Sequence, residues 1–316
     1  MLTKILMGAQ YELPLSENPF VELAEKIKVD KNYLIRKLRE LKAKKIIKRI
    51  GVDVNYRALR NSCGALVGIM VPFGKIKLAA EVINKFNPKH NFWRDHWKYN
   101  VWFTVKARNK NELEKIVRKI SEKLQCKDYV FLPTKRIYRM SVKYDLVGGI
   151  SLSSGRIEPD DVTKIEEIGV NESLLKSLSD IPISERPFSK FEKYGYSESE
   201  IVDLIAELMS KGIVRDFFAT LNEKKVGFKV NCMFAAKLNS SEDSFLIKIV
   251  RKHREITHMI KREVDKNWNY ELYFMLHAKE KKILEEKGNE ILRDLGAERF
   301  VKLYSIADLR NFDFKF

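Results

Sequence analysis

Leu13-Pro14-Leu15-Ser16-Glu17-Asn18-Pro19-Phe20 returns as Ile181-Pro182-Ile183-Ser184-Glu185-Arg186-Pro187-Phe188, with Pro, Ser, Glu, Pro and Phe aligned at a separation of 168 residues. The same separation relates His90-Asn91-Phe92-Trp93-Arg94 to His258-Met259-Ile260-Lys261-Arg262, where His and Arg coincide. Farther on, Tyr99 and Tyr270 each stand two residues after a Trp, Trp97 and Trp268, with a short insertion in the second copy. Two distant agreements at one offset identify a tandem duplication, and a repeat sets the architecture before any local reading.

Each copy opens with a short apolar helix, near 2–9 and near 172–179. A Pro-Phe pair then begins the next helix, where Pro is tolerated in the first turn. In the first copy Phe20, Leu23, Ala24 and Ile27 make a helical stripe, and Leu34, Leu38 and Leu41 lie on the following helix. In the second copy Phe188 and Phe191 precede Ser197, an N-cap with Glu200 three residues on, and then Ile201, Ile205 and Leu208. A β-like stretch follows in both, Ile46–Ile50 and Ile213–Phe217. Helices followed by a β-wing spell a winged helix-turn-helix.

The remainder of each copy reads strand, helix, strand, strand, helix, strand. In copy one the strands fall near 64–72, 90–94, 98–107 and 127–132, with helices near 75–86 and 110–124. In copy two they fall near 227–238, 256–262, 268–278 and 299–304, with helices near 241–252 and 280–294. That is the βαββαβ, ferredoxin-like order. The expected fold class is therefore α+β, a winged helix-turn-helix plus a ferredoxin-like domain, present twice. The expected domains are 1–60 and 161–224 (winged helices), 61–146 and 225–316 (ferredoxin-like), with 147–160 as linker. The Gly/Ser content of Val147–Gly155 predicts a flexible connection. The two ferredoxin-like units are expected to pair face to face as an intramolecular pseudo-dimer.

Hydrophobic residues make up 45% of the chain, too many for disorder. No apolar run approaches the ~20 residues of a membrane helix, and the first seven residues do not read as a secretory signal. Three cysteines, Cys63, Cys126 and Cys232, show no paired spacing, which predicts reduced thiols in the cytoplasm and neither a disulfide frame nor a structural metal site. The net charge of +17 is uneven: residues 1–150 carry +18 and residues 151–316 carry −1. The first half attracts a polyanion. Nucleic acid is the common source of such a field and a polycarboxylate the less common one, and charge does not separate them. The basic helix across Lys31–Lys48 could lie against DNA, or it could simply be a solvated face.

The chemistry points to the central hairpins. All five histidines, His90, His96, His253, His258 and His277, lie around them. On a strand, positions i and i+4 share a face. His90 with Arg94, and His258 with Arg262, therefore each offer one titratable imidazole and one permanent cation to the same side, which suits binding and protonating carboxylates. Either pair could also be satisfied structural residues. Tyr99, Trp102, Phe103, Trp268, Tyr270 and Tyr273 form sheet core or a platform for a flat macrocycle. Arg136 and Arg139, in Lys135-Arg136-Ile137-Tyr138-Arg139, make a second cationic stretch. No Gly-rich phosphate loop, Cys-His metal spacing or Gly-x-Ser-x-Gly elbow is present.

His90-Asn91-Phe92-Trp93-Arg94-Asp95-His96-Trp97-Lys98-Tyr99-Asn100-Val101-Trp102-Phe103-Thr104 and Leu132-Pro133-Thr134-Lys135-Arg136 resemble one subunit type of the siroheme decarboxylases, enzymatic relatives of the Lrp/AsnC regulators. Arg186-Pro187-Phe188, Gly212-Ile213-Val214-Arg215, Asn231-Cys232-Met233, Thr257-His258, Trp268-Asn269-Tyr270, Met275-Leu276-His277-Ala278 and Leu303-Tyr304-Ser305 resemble the other type. Ile260, Glu263, Asn269 and Ala278 depart from that second pattern, where the family has Tyr, Pro, Pro and Gly. The resemblance implies conversion of siroheme to didecarboxysiroheme by loss of two acetate carboxyl groups in haem or haem d1 biosynthesis. Siroheme would be bound as substrate, with no separate cofactor. It implies His90, Arg94, His96, His258 and Arg262 in catalysis, and Tyr99, Trp102, Arg136, Arg139, Trp268, Tyr270 and His277 in substrate binding. His90, His258 and His277 are candidate ligands of the siroheme iron. The rival readings are a DNA-binding, ligand-responsive regulator and a haem or siroheme sensor without catalysis. Copy two lacks the basic charge that phosphates require, which makes nucleic acid a secondary partner.

Overall fold

The computed structural model describes residues 1–240 and 242–310. In copy one, helices α1 (Leu2–Tyr11), α2 (Pro19–Lys26) and α3 (Lys31–Ala43) lead into strand β1 (Ile47–Val54). Pro19 opens α2, and the Asp30 carboxylate accepts from Tyr33 N to cap α3. Then come β2 (Cys63–Ile69), α4 (Ile76–Asn84), β3 (Asn91–Arg94), β4 (Val101–Ala107), α5 (Lys110–Leu124) and β5 (Tyr129–Met140). The connection holds β6 (Lys143–Tyr144) and β7 (Ser151–Leu152). Copy two runs α6 (Glu172–Leu178), α7 (Glu198–Ser210), β8 (Val214–Leu221), β9 (Val230–Leu238), α8 (Asp243–Lys252), β10 (His258–Arg262), β11 (Leu272–Ala278), α9 (Lys281–Asp294) and β12 (Ala297–Asp308). The predicted capping box at Ser197 and Glu200 opens α7. The helix expected after Phe188 is a 3-10 helix, Ser189–Tyr194.

The chain forms two compact units, each drawing segments from both copies. One consists of Met1–Leu59, Ser141–Lys229 and Ala278–Glu280. In it β1 pairs antiparallel with β8, wing against wing, and one apolar core takes in Phe20, Leu34 and Leu38 together with Phe188, Phe191 and Ile205. Strand β8 and helix α3 thus bury their apolar faces in a core that neither copy completes alone.

The connection in this unit is not the flexible linker that its glycines and serines predict. Ser151 and Ser153 are fully buried. Glu158, 4% exposed, accepts from Arg215 Nε at 2.7 Å and from Asn55 Nδ2 at 3.1 Å. Arg156 donates to the carbonyl of Met209 at 2.6 Å. A buried ion pair between Glu158 and Arg215 thus holds the segment.

Among the described residues, the other unit consists of Arg60–Met140, Val230–His277 and the chain from Lys281 to Arg310. Its strands close a barrel in the order β10-β11-β9-β12-β3-β4-β2-β5. Each copy supplies four consecutive places in that ring. The copies are joined twice, by β12 against β3 and by β5 against β10. Strand alternation sorts the side chains. Val67, Ile69, Val101, Phe103 and Val105 pack outward with α4 and α5 residues such as Ile83, Leu113 and Val117. Leu66, Tyr99, Trp102, Leu132, Met233, Ala235, Trp268, Tyr273 and Leu303 pack inward. Gly68 sits beneath the Trp102 indole, where a Cβ would come within 2.8 Å of the ring. Among the described residues no helix is long and apolar enough to cross a membrane.

Candidate active site

The 168-residue repeat becomes geometry on the inner face of the barrel. His90 immediately precedes β3 and His258 opens β10, and their rings meet edge to face with centroids 6.0 Å apart. The His90 ring also stacks on Phe92 at 6.2 Å, and Thr257 Oγ1 lies 3.1 Å from His258 Nδ1. Burial holds the His90 imidazole well below the usual histidine range, and Lys89, His258, Arg310 and Arg94 push it the same way.

The repeated arginines cross between copies. Arg94 donates to the carbonyl of Leu303 in β12 at 2.7 Å, and its guanidinium lies over the Phe92 ring at 5.1 Å. Arg262 donates to Thr134 Oγ1 in β5 at 2.9 Å and to the Leu132 carbonyl at 3.4 Å, and lies over Tyr273 at 5.5 Å. Leu132 and Leu303, 171 residues apart, are counterparts, so each copy's arginine grips the other copy's last strand. Arg94 and Arg262 are 3% and 6% exposed. Arginine's fixed fork of donors suits such planar gripping.

Trp268 is the hub of an aromatic cluster. Its ring centroid lies 5.1 Å from Trp102, 5.0 Å from Tyr270, 5.7 Å from Tyr99 and 5.2 Å from the His96 imidazole. Trp102 Nε1 donates to the Tyr99 carbonyl at 2.6 Å, and the counterpart Tyr273 hydroxyl donates to the Tyr270 carbonyl at 3.0 Å. An indole and a phenol thus close the same turn in the two copies. Trp268 Nε1 donates to the Tyr273 hydroxyl at 2.8 Å. His96 Nδ1 accepts from Tyr99 N at 3.0 Å, and burial lowers this imidazole against the opposing pull of Asp95.

His277, 6% exposed, lies on the inward row of β11 with Tyr273 and Met275. Its Nδ1 is 3.2 Å from Asn231 Nδ2, and Asn231 Oδ1 is 3.1 Å from Ser305 Oγ. Lys106, on the row of β4 that carries Trp102 and Thr104, stands 171 residues before His277. The sequence reading singled out none of Lys106, Asn231 and Ser305 as candidates for this face. The offset of 171, already set by Tyr99 and Tyr270, was the signal that could have paired Lys106 with His277.

Arg136 and Arg139 do not join this face. Arg136 is in register with Lys261, the neighbour of the inward Arg262, so it points outward and lies over the Tyr138 ring at 5.6 Å. Arg139 is fully buried and donates to the His253 carbonyl at 3.0 Å, with burial lowering its guanidinium to about 10. Register shifts where β5 meets β10 put these arginines on the helix-facing side. His253, Glu290 and Asp294 cluster there, but Lys252 and Lys287 already pair with the two carboxylates.

The basic helix α3 is engaged within its own unit. Arg39 Nε donates to the Ile183 carbonyl at 2.7 Å, and Lys42 and Lys31 pair with Asp180 and Glu185 at 2.6 and 3.2 Å. Copy two therefore engages three of the cations of this helix.

Residues 62–139 and 225–310 match the family model described as an AsnC-like ligand binding domain, and residues 3–48 match one described as a siroheme decarboxylase NirDL-like HTH domain. The siroheme decarboxylase of Hydrogenobacter thermophilus is 24% identical over 99% of this chain and 94% of its own. The crystal structure of the siroheme decarboxylase NirDL superposes with a TM-score of 0.66 at 22% identity, covering 98% of this chain and 91% of that one. The same enzyme in co-complex with an iron-uroporphyrin III analogue gives 0.65 at 22% identity, over 98% of this chain and 92% of that one.

Proposed function

This chain belongs to the family of AsnC-like ligand-binding domains, and we propose that it is a siroheme decarboxylase carrying both halves of the enzyme as a tandem duplication of winged helix and ferredoxin-like domain. The observation that carries this reading is the convergence of His90, Arg94, His258 and Arg262 from the two copies on one barrel face, beside the cluster around Trp268. The full-length similarity to a siroheme decarboxylase supports it. The domain limits given above are our reading of the duplication, and the barrel is its intramolecular pseudo-dimer.

Siroheme is flat, aromatic and edged by carboxylates. Tyr99, Trp102, Trp268 and Tyr270 suit its ring, and Arg94 and Arg262 suit its carboxylates. In each decarboxylation the bond between the acetate methylene and its carboxylate breaks. CO₂ leaves, the electron pair stays on the methylene carbon, and a proton taken up there makes a methyl group. His90, His96 and His258 are the candidate proton donors, re-protonated from water, and His90 and His258 are also candidate iron ligands. Proton delivery by a placed imidazole contributes ~10²–10⁴-fold. An apolar surround favours the less charged transition state. No separate cofactor enters this chemistry, and the setting is cytoplasmic.

The regulator reading loses support from α3, whose cations are partly taken up by copy two. Anaerobic titration with siroheme, followed by absorption, against retention of random duplex DNA at the same ionic strength tests the choice. Tight siroheme binding with no retained DNA counts against the regulator, and release of CO₂ then separates the enzyme from a siroheme sensor without catalysis. Siroheme-dependent DNA retention favours the regulator.

A further inference from the structure

Asn231 stands between Ser305 and His277 on the inner face of copy two. A serine hydroxyl can donate to the amide oxygen at 3.1 Å, which turns the amide nitrogen toward the ring at 3.2 Å. An amide nitrogen only donates. The Nδ1 that receives it is unprotonated, so the neutral ring carries its proton on Nε2. Copy one places Lys106 and Thr134 at the positions of His277 and Ser305, and lysine is a donor and nothing else. Both copies thus carry a residue with an N–H donor at matching positions of the inner row, by different chemistry.

The geometry points to His277 as a hydrogen-bond donor, through Nε2, to a carboxylate of the bound tetrapyrrole, with Asn231 the positioning residue that selects this tautomer and Lys106 the matching donor in copy one. A ring protonated at Nε2 has no lone pair there for iron. His277 is therefore not an iron ligand through that nitrogen. The identity of the carboxylate rests on the siroheme decarboxylase reading; the tautomer does not.

The test uses the full chain labelled with ¹⁵N-histidine, without substrate, and long-range ¹H–¹⁵N correlation assigned with His277→Gln. The expected result is an unprotonated Nδ1 and a protonated Nε2 at neutral pH; a protonated Nδ1 overturns the proposal. Asn231→Asp, whose carboxylate accepts from Nδ1–H, is expected to move the proton to Nδ1, and an unchanged ring pattern in the folded variant counts against the role of Asn231. If that variant does not fold, Ser305→Ala should release the amide and give two tautomers, and a single unchanged tautomer contradicts the relay. With siroheme bound, His277→Phe, which carries no N–H, should weaken affinity roughly tenfold to a hundredfold and leave the absorption maximum in place; a displaced maximum means a lost iron ligand and overturns the proposal. Wild-type protein with the expected tautomer but no CO₂ release would refute the decarboxylase reading and leave the tautomer standing.

Discussion

The turn between β3 and β4 and the turn between β10 and β11 come from corresponding segments, yet they treat the same residue in opposite ways. Trp97 is 88% exposed, whereas Trp268 is 5% exposed at the centre of the aromatic cluster. Trp97 follows Arg94 by three positions and Trp268 follows Arg262 by six. The longer connection folds back through a turn in which Trp268 N donates to Asp265 O at 2.9 Å and Asp265 N returns the bond at 3.2 Å. Asn267 N donates to Asp265 Oδ1 at 2.9 Å within it. Loop length, not residue type, decides which tryptophan becomes core.

That contrast sits on a background of pseudo-symmetry, and substitution in matched pairs tests both. The largest effects are expected at the meeting imidazoles. His90→Ala and His258→Ala should each cut siroheme turnover by ~10²–10⁴-fold while binding is retained, measured as CO₂ release under substrate saturation. Full turnover in one variant would assign the chemistry to the other copy alone.

At the tryptophans, Trp268→Ala should destabilise the fold by about 3–5 kcal/mol, while Trp97→Ala should stay within about 0.5 kcal/mol. Urea unfolding measures both, and equal losses would contradict the difference in burial. The crossed arginines should behave alike. Arg94→Met and Arg262→Met each remove a charge-assisted bond to the other copy, for a cost of about 1.5–3 kcal/mol, read in the same unfolding experiment. A cost confined to one of them would break the pseudo-symmetry.

The smallest effect is pH dependence. The folded state resists protonation of His90, chiefly through burial, while the unfolded chain accepts the proton near the ordinary value of 6.5. The contribution of this group is therefore complete above that value and is lost as pH falls below it. His90→Gln should flatten the fall in urea midpoint between about pH 7 and about pH 5. An unchanged slope would place the acid sensitivity elsewhere.

Much of this was legible in residue order. The strand–helix order read in each copy placed β2, β3, β4, β9, β10 and β11 close to their observed limits, and α4, α5, α8 and α9 with them. The last strands were predicted too short, near 127–132 and 299–304, against Tyr129–Met140 and Ala297–Asp308. Their second halves pair with the other copy, at β10 and β3, and no local pattern reports a partner supplied by closure. The same register shifts carried Arg136 and Arg139 away from the inner face. The connection 147–160 looked flexible by composition because Glu158 meets Arg215 only once both wings are in place. His90, His258, Arg94 and Arg262 stood out because the duplication writes the His-x-x-x-Arg spacing twice. Asn231 acts through a neighbour 46 residues away and carries no such mark.

Anaerobic incubation of the full chain with siroheme, with the tetrapyrrole resolved by mass and released CO₂ counted, bears most directly on the function. Two CO₂ per siroheme and a product lighter by two carboxyl groups is the expected result. Siroheme recovered unchanged, from protein that binds it, would contradict the decarboxylase and leave a binding protein on the same fold.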